Sequence, residues 1–335
     1  MADLNKTEKT TRDKIIDMLK GEKGYVSGQE MCDRLSLSRT AVWKHIKALK
    51  ADGYVIDSVN NRGYRLVSLP DIIDEAAIRS HLHTKWLAGD IVYLPETDSS
   101  NIQAKQLGEK GGNNGTVVVT DKQTAGRGRR GRTWISPAGN IYYSILLYPD
   151  VAVERASMIT LIAAMAVARA VRDEEKLEAM IKWPNDVVVN GKKICGILTE
   201  SSTDMEYIQY VVVGIGINCN QKEFDDEISD TATSISLELG RDVERAKLLA
   251  KFFDYFEDYY DIFLETEDFS RLSEKYNELL INKEREVKII EKGQQRVLRA
   301  VGINDMGGLI VEDSKGNRDT IISGEVSVRG LYGYV

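Results

Sequence analysis

Three rhythms of apolar residues succeed one another along the chain. Up to residue 67 the spacing is helical, with Ile15, Ile16 and Leu19 on one stripe, Met31 and Leu35 on a second, and Val42, Ile46 and Leu49 on a third at i, i+4, i+7. Ser27-Gly28-Gln29-Glu30 has the capping-box pattern that satisfies two otherwise orphan amides. Ser38 is placed to cap the third helix, which Gly53 stops. Tyr54–Asp57 and Tyr64–Val67 read as strands around Asn60-Asn61-Arg62-Gly63, which is turn chemistry. Helices and hairpin in this order predict a winged helix-turn-helix over residues 1–69.

After Pro70 the rhythm changes. Asp71–Leu82 reads as a linking helix, and residues 70–282 then mix strands with a few helices. Strands are predicted at Ile91–Leu94, Thr116–Thr120, Ile141–Tyr148, Met180–Trp183, Val187–Val189, Lys193–Glu200 and Tyr207–Ile217. Asn190-Gly191 between two of them is a strong hairpin signal. Helices are predicted at Ser100–Leu107, Glu154–Asp173, Val243–Glu265 and Asp268–Ile281. Successive strands often lack an intervening helix, which favours an α+β mixed sheet over a doubly wound one. Residues 283–335 form the third rhythm, short alternating strands between Gly-rich turns, which predicts a small SH3-like β-barrel.

Composition narrows the function. The 335 residues carry 45 Lys and Arg against 52 Asp and Glu, a formal charge of -7. Counted by segment, residues 1–69 are net +4 and the remainder net -11, so a DNA-facing module is compatible with an acidic total. Cys32, Cys195 and Cys219 are odd in number and far apart, which excludes a disulfide framework and a cysteine zinc site. Free thiols suit a reducing cytosol, and no membrane-spanning run or signal-peptide core is visible, so a cytoplasmic location is expected. With only three histidines (His45, His81 and His83), a clustered His mechanism is disfavoured.

The candidate chemistry lies in the central region. Gly126-Arg127-Gly128-Arg129-Arg130-Gly131-Arg132 formally matches the dinucleotide fingerprint, but the aromatic, β-like stretch that follows offers no helix for a pyrophosphate. Four arginines spaced by glycines describe a loop able to surround an anion; a solvated basic loop and a nucleic-acid patch remain alternatives. Lys182-Trp183-Pro184-Asn185-Asp186 ends a strand with an Asn-Asp pair suited to a polar ligand or Mg²⁺, or simply to a turn. Lys193 and the Gly214-Ile215-Gly216-Ile217-Asn218 run complete the set. Asp98-Ser99-Ser100-Asn101 reads as a helix N-cap, compatible with ligand contact.

Six stretches, DSSN, QTAGRGRRGRTW, KWPND, KKICGIL, GIGIN and GEVSVR, occur in the order found in one family. The chain resembles the bifunctional biotin–protein ligases that also repress biotin operons, the BirA type, over essentially its whole length. The resemblance implies activation of biotin with MgATP to biotinyl-5′-AMP, and transfer of biotin to a lysine of a biotin carboxyl carrier protein. It places Ser99, Ser100, Asn101, Gln123, Arg127, Gly128, Arg129 and Lys193 against biotin or its adenylate. Trp134, Asn185, Asn218 and Arg329 fall by the nucleotide, with Arg129 and Lys193 as the catalytic pair and Asp186 as a candidate Mg²⁺ ligand. Ser100 stands where the family often has threonine, and the hydroxyl is kept.

Such chemistry suits the residues. A carboxylate must attack an α-phosphate that repels it, and cationic donors that align both groups lower that barrier. In the N-terminal unit Ser38, Arg39, Thr40, Trp43, Lys44 and Lys47 would face operator DNA from the third helix, with Arg62 at the wing tip. A modest +4 charge predicts that tight binding needs a homodimer, which in this family biotinyl-AMP promotes. Two rivals stand beside this reading. One is a ligand-sensing repressor that has lost catalysis, and the other is a lipoate–protein ligase.

Overall fold

The computed structural model describes residues 10–22, 24–51, 53–68, 71–204, 207–291, 294–322, 326–330 and 334–335. They fall into two compact units, Met1–Asp71 and Ile72–Val335. In the first, α1 (Thr11–Gly21), α2 (Gly28–Leu35) and α3 (Arg39–Ala51) precede a hairpin of β1 (Val55–Val59) and β2 (Gly63–Ser68). Its core joins Ile15, Leu19, Met31, Val42, Ile46 and Leu49, the stripes legible in the sequence, to Val26 and Ile56. Ser27 Oγ accepts from the Glu30 amide at 3.0 Å and Ser38 Oγ from the Ala41 amide at 3.2 Å, so both helices start where expected. The Glu30 carboxylate pairs with Arg34 at 3.2 Å.

The second unit begins with α4 (Glu75–Arg79), β3 (Ile91–Thr97), α5 (Ser100–Glu109), β4 (Val117–Gln123), β5 (Ile141–Leu147) and α6 (Met158–Glu175). It continues with β6 (Met180–Lys182), β7 (Asp186–Val189), β8 (Lys192–Asp204), β9 (Tyr207–Ile217), α7 (Ile235–Leu239), α8 (Arg245–Thr266) and α9 (Ser273–Leu279). The strands form one seven-stranded sheet in the order β3-β4-β5-β9-β8-β7-β6, parallel only between β3 and β4. The mixed sheet is therefore as expected.

Alternation along the strands gives the sheet two different faces. Val117, Val119, Tyr143, Ile145, Val213, Ile215 and Ile217 share a core with α6 and α8, which pack on each other. Every residue of α6 from Met158 to Ala168 is buried, and α8 reaches the sheet directly as well, with the rings of Phe252 and Phe253 5.1 and 5.7 Å from that of Tyr143. On the opposite face α5 covers Val118, Leu146, Tyr210 and Val212 through Ala104 and Leu107. Beyond α5 that face carries Ser144, Gly196, Gly214 and Gly216 and is open.

Several predicted helices are shorter than their apolar pattern. The linking helix over Asp71–Leu82 is only α4, capped by Asp74 Oδ1 at 2.8 Å from the Ala77 amide, because α8 captures the following loop. The helix over Asp268–Ile281 is only α9, since buried Phe269 belongs to a turn and the Ile281 amide donates to Ile181 O of β6. A 3-10 turn at Val153–Arg155 precedes α6, and α7 lay outside the expectation.

Five C-terminal strands, β10 (Arg285–Glu291), β11 (Gln294–Ile303), β12 (Leu309–Glu312), β13 (Arg318–Ile321) and β14 (Val326–Gly330), form an antiparallel sheet ordered β13-β12-β11-β10-β14. Among the described residues no pairing joins β13 to β14, and the five-stranded antiparallel sheet is what the structure describes of the expected barrel. Val287, Ile289, Ala300, Leu309 and Val311 belong to the same core as α6 and α8. None of the described helices is long and apolar enough to cross a membrane.

Candidate active site

The open face of the sheet becomes a site because its strands carry almost no side chain there. Gly214 and Gly216 are two apart on β9 and so point the same way, and Gly216 stands opposite Gly196 of β8. A Cβ on Gly214 would lie 1.8 Å from Asn101 Oδ1, and one on Gly216 would lie 2.6 Å from Trp134 Nε1. The Trp134 ring thus rests on bare backbone, and its indole N–H has no partner among the described residues.

Above this floor two cavities adjoin. The first is lined by Ser99, Ser100, Asn101, Gln123, Arg127 and the glycines of β8 and β9. A wider cleft is lined by Lys182, Asp186, Asn218, Arg130, Arg132 and Tyr334, among others. Gly128, Arg129, Trp134, Asn185 and Lys193 line both. The arginine loop closes on itself, with Gly128 N donating to Arg132 O at 2.7 Å and Trp134 N to Gly126 O at 2.9 Å. As the sequence indicated, no α-helix follows it.

Within the first cavity α5 presents its N-terminus. Ser99 is the N-cap residue, but its hydroxyl makes no capping bond, while Asp98 Oδ1 accepts from the Ser99 amide at 2.6 Å and from Gln103 at 2.9 Å. Gln123 Oε1 accepts from the Ser100 amide at 2.9 Å, and Gln123 Nε2 donates to Ser136 Oγ at 2.9 Å. The Asn101 amide donates to Leu198 O at 3.3 Å and to Glu200 Oε2 at 2.8 Å. Ser144, Glu200 and Lys105, which no motif marked, do not line the cavity but bond to or behind the Ser100 and Asn101 side chains that do.

The boundary between the cavities is cationic. Arg129 donates to Asn185 Oδ1 at 2.6 Å, and Asn185 in turn donates to Ile197 O at 3.1 Å. Lys193, on β8 just past the Asn190-Gly191 turn, pairs with Asp186 Oδ1 at 2.6 Å and lies 5.1 Å from the centre of the Trp134 ring. Tyr334 donates to the other Asp186 oxygen. Burial would raise the Asp186 carboxyl, but the Lys193 charge, hydrogen bonds from Lys193 and Tyr334, and the Lys182 charge hold it below the usual carboxylate range.

Asp186, expected as a Mg²⁺ ligand, forms an ion pair with Lys193 through one carboxylate oxygen and accepts from Tyr334 at the other. Among the described residues no group of three or more His, Cys, Asp or Glu could hold a metal ion. Asn218 is buried and anchored to Thr233 O at 3.1 Å. Arg329 sits on β14 opposite Lys288, and its side chain lies outside the described residues.

In the N-terminal unit Ser38, Arg39, Thr40, Trp43, Lys44 and Lys47 are all exposed on or beside α3, as is Arg62 in the β1–β2 turn. Arg39 is held by Gln29 Oε1 at 2.9 Å, and Lys47 lies 5.3 Å from the centre of the Trp43 ring.

Comparison with known proteins agrees with this arrangement. Residues 11–65 match an HTH domain, 93–218 the biotin/lipoate A/B protein ligase family, and 284–329 the biotin protein ligase C-terminal domain. The chain is 35% identical over 311 residues to the bifunctional ligase/repressor BirA of Bacillus subtilis, covering 92% of this chain and 95% of that protein. Its counterpart from Escherichia coli is 27% identical over 318 residues, covering 94% of this chain and 96% of that protein. The biotin protein ligase of Aquifex aeolicus, solved in complex with biotin and ATP, superposes with a TM-score of 0.64 at 32% identity, covering 72% of this chain and 99% of that one. Near-full-length identity, matches in all three regions and a shared catalytic fold lead to one conclusion: the chain belongs to the bifunctional biotin–protein ligase and repressor family.

Proposed function

We infer that the chain activates biotin with ATP, transfers it to a carrier protein, and represses transcription through its winged helix. The observation that carries the catalytic part is the pair of adjoining cavities with Arg129 and Lys193 on their shared wall. Biotin occupies the smaller cavity under α5, and ATP the wider cleft beside Trp134, Asn185 and Asn218. The biotin carboxylate then meets the α-phosphate at the boundary. There a carboxylate oxygen attacks phosphorus, the bond to the β-phosphate oxygen breaks, and pyrophosphate leaves.

Arg129 and Lys193 neutralise both anions and the charge that grows between them. Asp186 holds the Lys193 ammonium in place. Mg²⁺ enters with ATP as part of the substrate rather than in a protein cage, in keeping with the engaged Asp186 carboxylate. In the second step the amine of a carrier lysine attacks the acyl carbon and AMP departs, so no protein nucleophile is required. The arginine loop shields the mixed anhydride from water.

Biotin-dependent exchange of pyrophosphate into ATP, with lipoate as control, tests this reading. Exchange with biotin alone is expected; exchange with lipoate alone would replace the substrate, and none at all would leave only a sensor. For the second activity, biotinyl-5′-AMP promotes a homodimer that sets two copies of α3 on operator DNA. Phosphate and base contacts come from Ser38, Arg39, Thr40, Trp43, Lys44 and Lys47, with Arg62 reaching an adjacent groove. A gel-shift assay with DNA upstream of biotin genes should show retardation that depends on the adenylate. We also divide the chain into three functional domains, at residues 1–69, 70–282 and 283–335.

A further inference from the structure

Beneath the smaller cavity lies a chain of hydrogen bonds running from Lys105 through Glu200, Asn101 and Ser144 to Ser100. Lys105 Nζ pairs with Glu200 Oε1 at 2.5 Å, and Asn101 Nδ2 lies 2.8 Å from Glu200 Oε2. Ser144 Oγ is 2.6 Å from Asn101 Oδ1 and 2.8 Å from Ser100 Oγ. Only Ser100 and Asn101 of these lie on the cavity wall.

Proton counting gives this chain a direction. Burial pushes the Glu200 carboxyl up, but hydrogen bonds from Asn101 and Lys105 and the Lys105 charge hold it below the usual range, so it only accepts. Asn101 must therefore turn its amide hydrogens toward Glu200 and Leu198 O, which leaves its oxygen facing Ser144. That oxygen also only accepts, so the single Ser144 proton is committed to it. The contact between Ser144 and Ser100 is then a bond only if Ser100 donates. Gln123 Oε1, 3.2 Å from the same hydroxyl and also accepting from the Ser100 amide at 2.9 Å, is a second and longer acceptor for it, so either bond keeps the Ser100 proton on the protein.

We propose that Glu200, acting through Asn101 and Ser144, is a positioning residue that fixes the Ser100 hydroxyl as an acceptor toward the ligand and so selects a ring N–H donor. This rests on biotin being the substrate, whose cyclic urea carries two such N–H groups. Neither Glu200 nor Ser144 needs to touch it. In Glu200→Gln a single oxygen must serve both Lys105 and Asn101. If Lys105 takes that oxygen, Asn101 faces an NH2 group and is held only by Leu198 O at 3.3 Å, so the direction down to Ser100 is no longer fixed. Ser144→Ala removes the middle link and the shorter of the two acceptors for the Ser100 proton, leaving only Gln123 Oε1 at 3.2 Å, without disturbing the ion pair.

The test is calorimetric binding to the full-length chain of biotin and of its two cyclic carbamate analogues, in each of which one ring N–H is replaced by oxygen. Wild type should prefer biotin over one of the analogues by about tenfold or more, the worth of one buried hydrogen bond. In both variants that preference should shrink toward unity, a change that simple loss of packing would not produce. Retention of the full preference in folded Glu200→Gln and Ser144→Ala would overturn the proposal. Should Glu200→Gln fail to fold, Ser144→Ala decides alone in the same way. Absence of biotin binding by the wild type would instead remove the substrate reading itself, and the inference with it.

Discussion

Arg129 and Lys193 reach the same boundary by different means. Lys193 is held by a carboxylate, and Arg129 by the neutral side-chain oxygen of Asn185. Each therefore keeps positive charge to offer to a substrate, Arg129 the more so. Replacing Arg129 by alanine should lower biotin-dependent pyrophosphate exchange by about 100-fold, the scale of one preorganised charge-stabilising donor. The variant should also release biotinyl-AMP on gel filtration, and unchanged retention together with unchanged transfer would sink this role. The Asp186 carboxyl is depressed, so its pairing contributes stability above the unfolded carboxylate value and loses it as pH falls through the lower folded value. The difference in denaturant midpoint between wild type and Asp186→Asn should thus be flat from about pH 5 upward and shrink only below about pH 4.

Among the elements, α8 does more than cover the sheet. It supplies Glu257, whose buried carboxylate accepts the backbone N–H groups of Lys85 at 2.8 Å, Trp86 at 2.9 Å and Leu87 at 2.9 Å. This grip shortens the helix expected over Asp71–Leu82, because the backbone after α4 is spoken for by a side chain 170 residues away. Replacing one acceptor oxygen by an NH2 group, as in Glu257→Gln, turns a donor toward donors. We expect a loss of about 3 kcal/mol, seen by calorimetry as a fall of about 6–12 °C in melting temperature. α9 was misjudged for a similar reason: Phe269 is apolar at a helical spacing, yet its amide donates to Asp305 O in the C-terminal region.

At the level of the whole molecule the two units have separate cores. A chain trimmed to residues 72–335 should keep biotin-dependent exchange and lose DNA retardation, whereas loss of exchange would tie catalysis to the winged helix. Charge follows the same division, +4 in residues 1–69 and -11 in the rest. Binding to DNA should weaken with salt, and Lys44→Ala should reduce the log–log salt slope by about 1 if Lys44 meets a phosphate. An unchanged slope would assign Lys44 to solvent.

Local chemistry in the sequence determined much of this protein. Caps such as Ser27 and Ser38, the Asn190-Gly191 turn and the period-two strands act within a few residues, so they are legible without a fold. Motif order likewise marked Arg129, Lys193 and Asn185, because those side chains sit in contiguous, unusual stretches. Tertiary structure alone decided the rest. Ser144, Glu200 and Lys105 lie on three separate elements and carry common residue types, so no spacing announces them. Asp186 meets Lys193 and Tyr334 only in the fold, which brings Tyr334 to it from 148 residues away. The floor of the site depends on the register that sets Gly196 against Gly216, and a strand's partner is a long-range choice that no local pattern encodes.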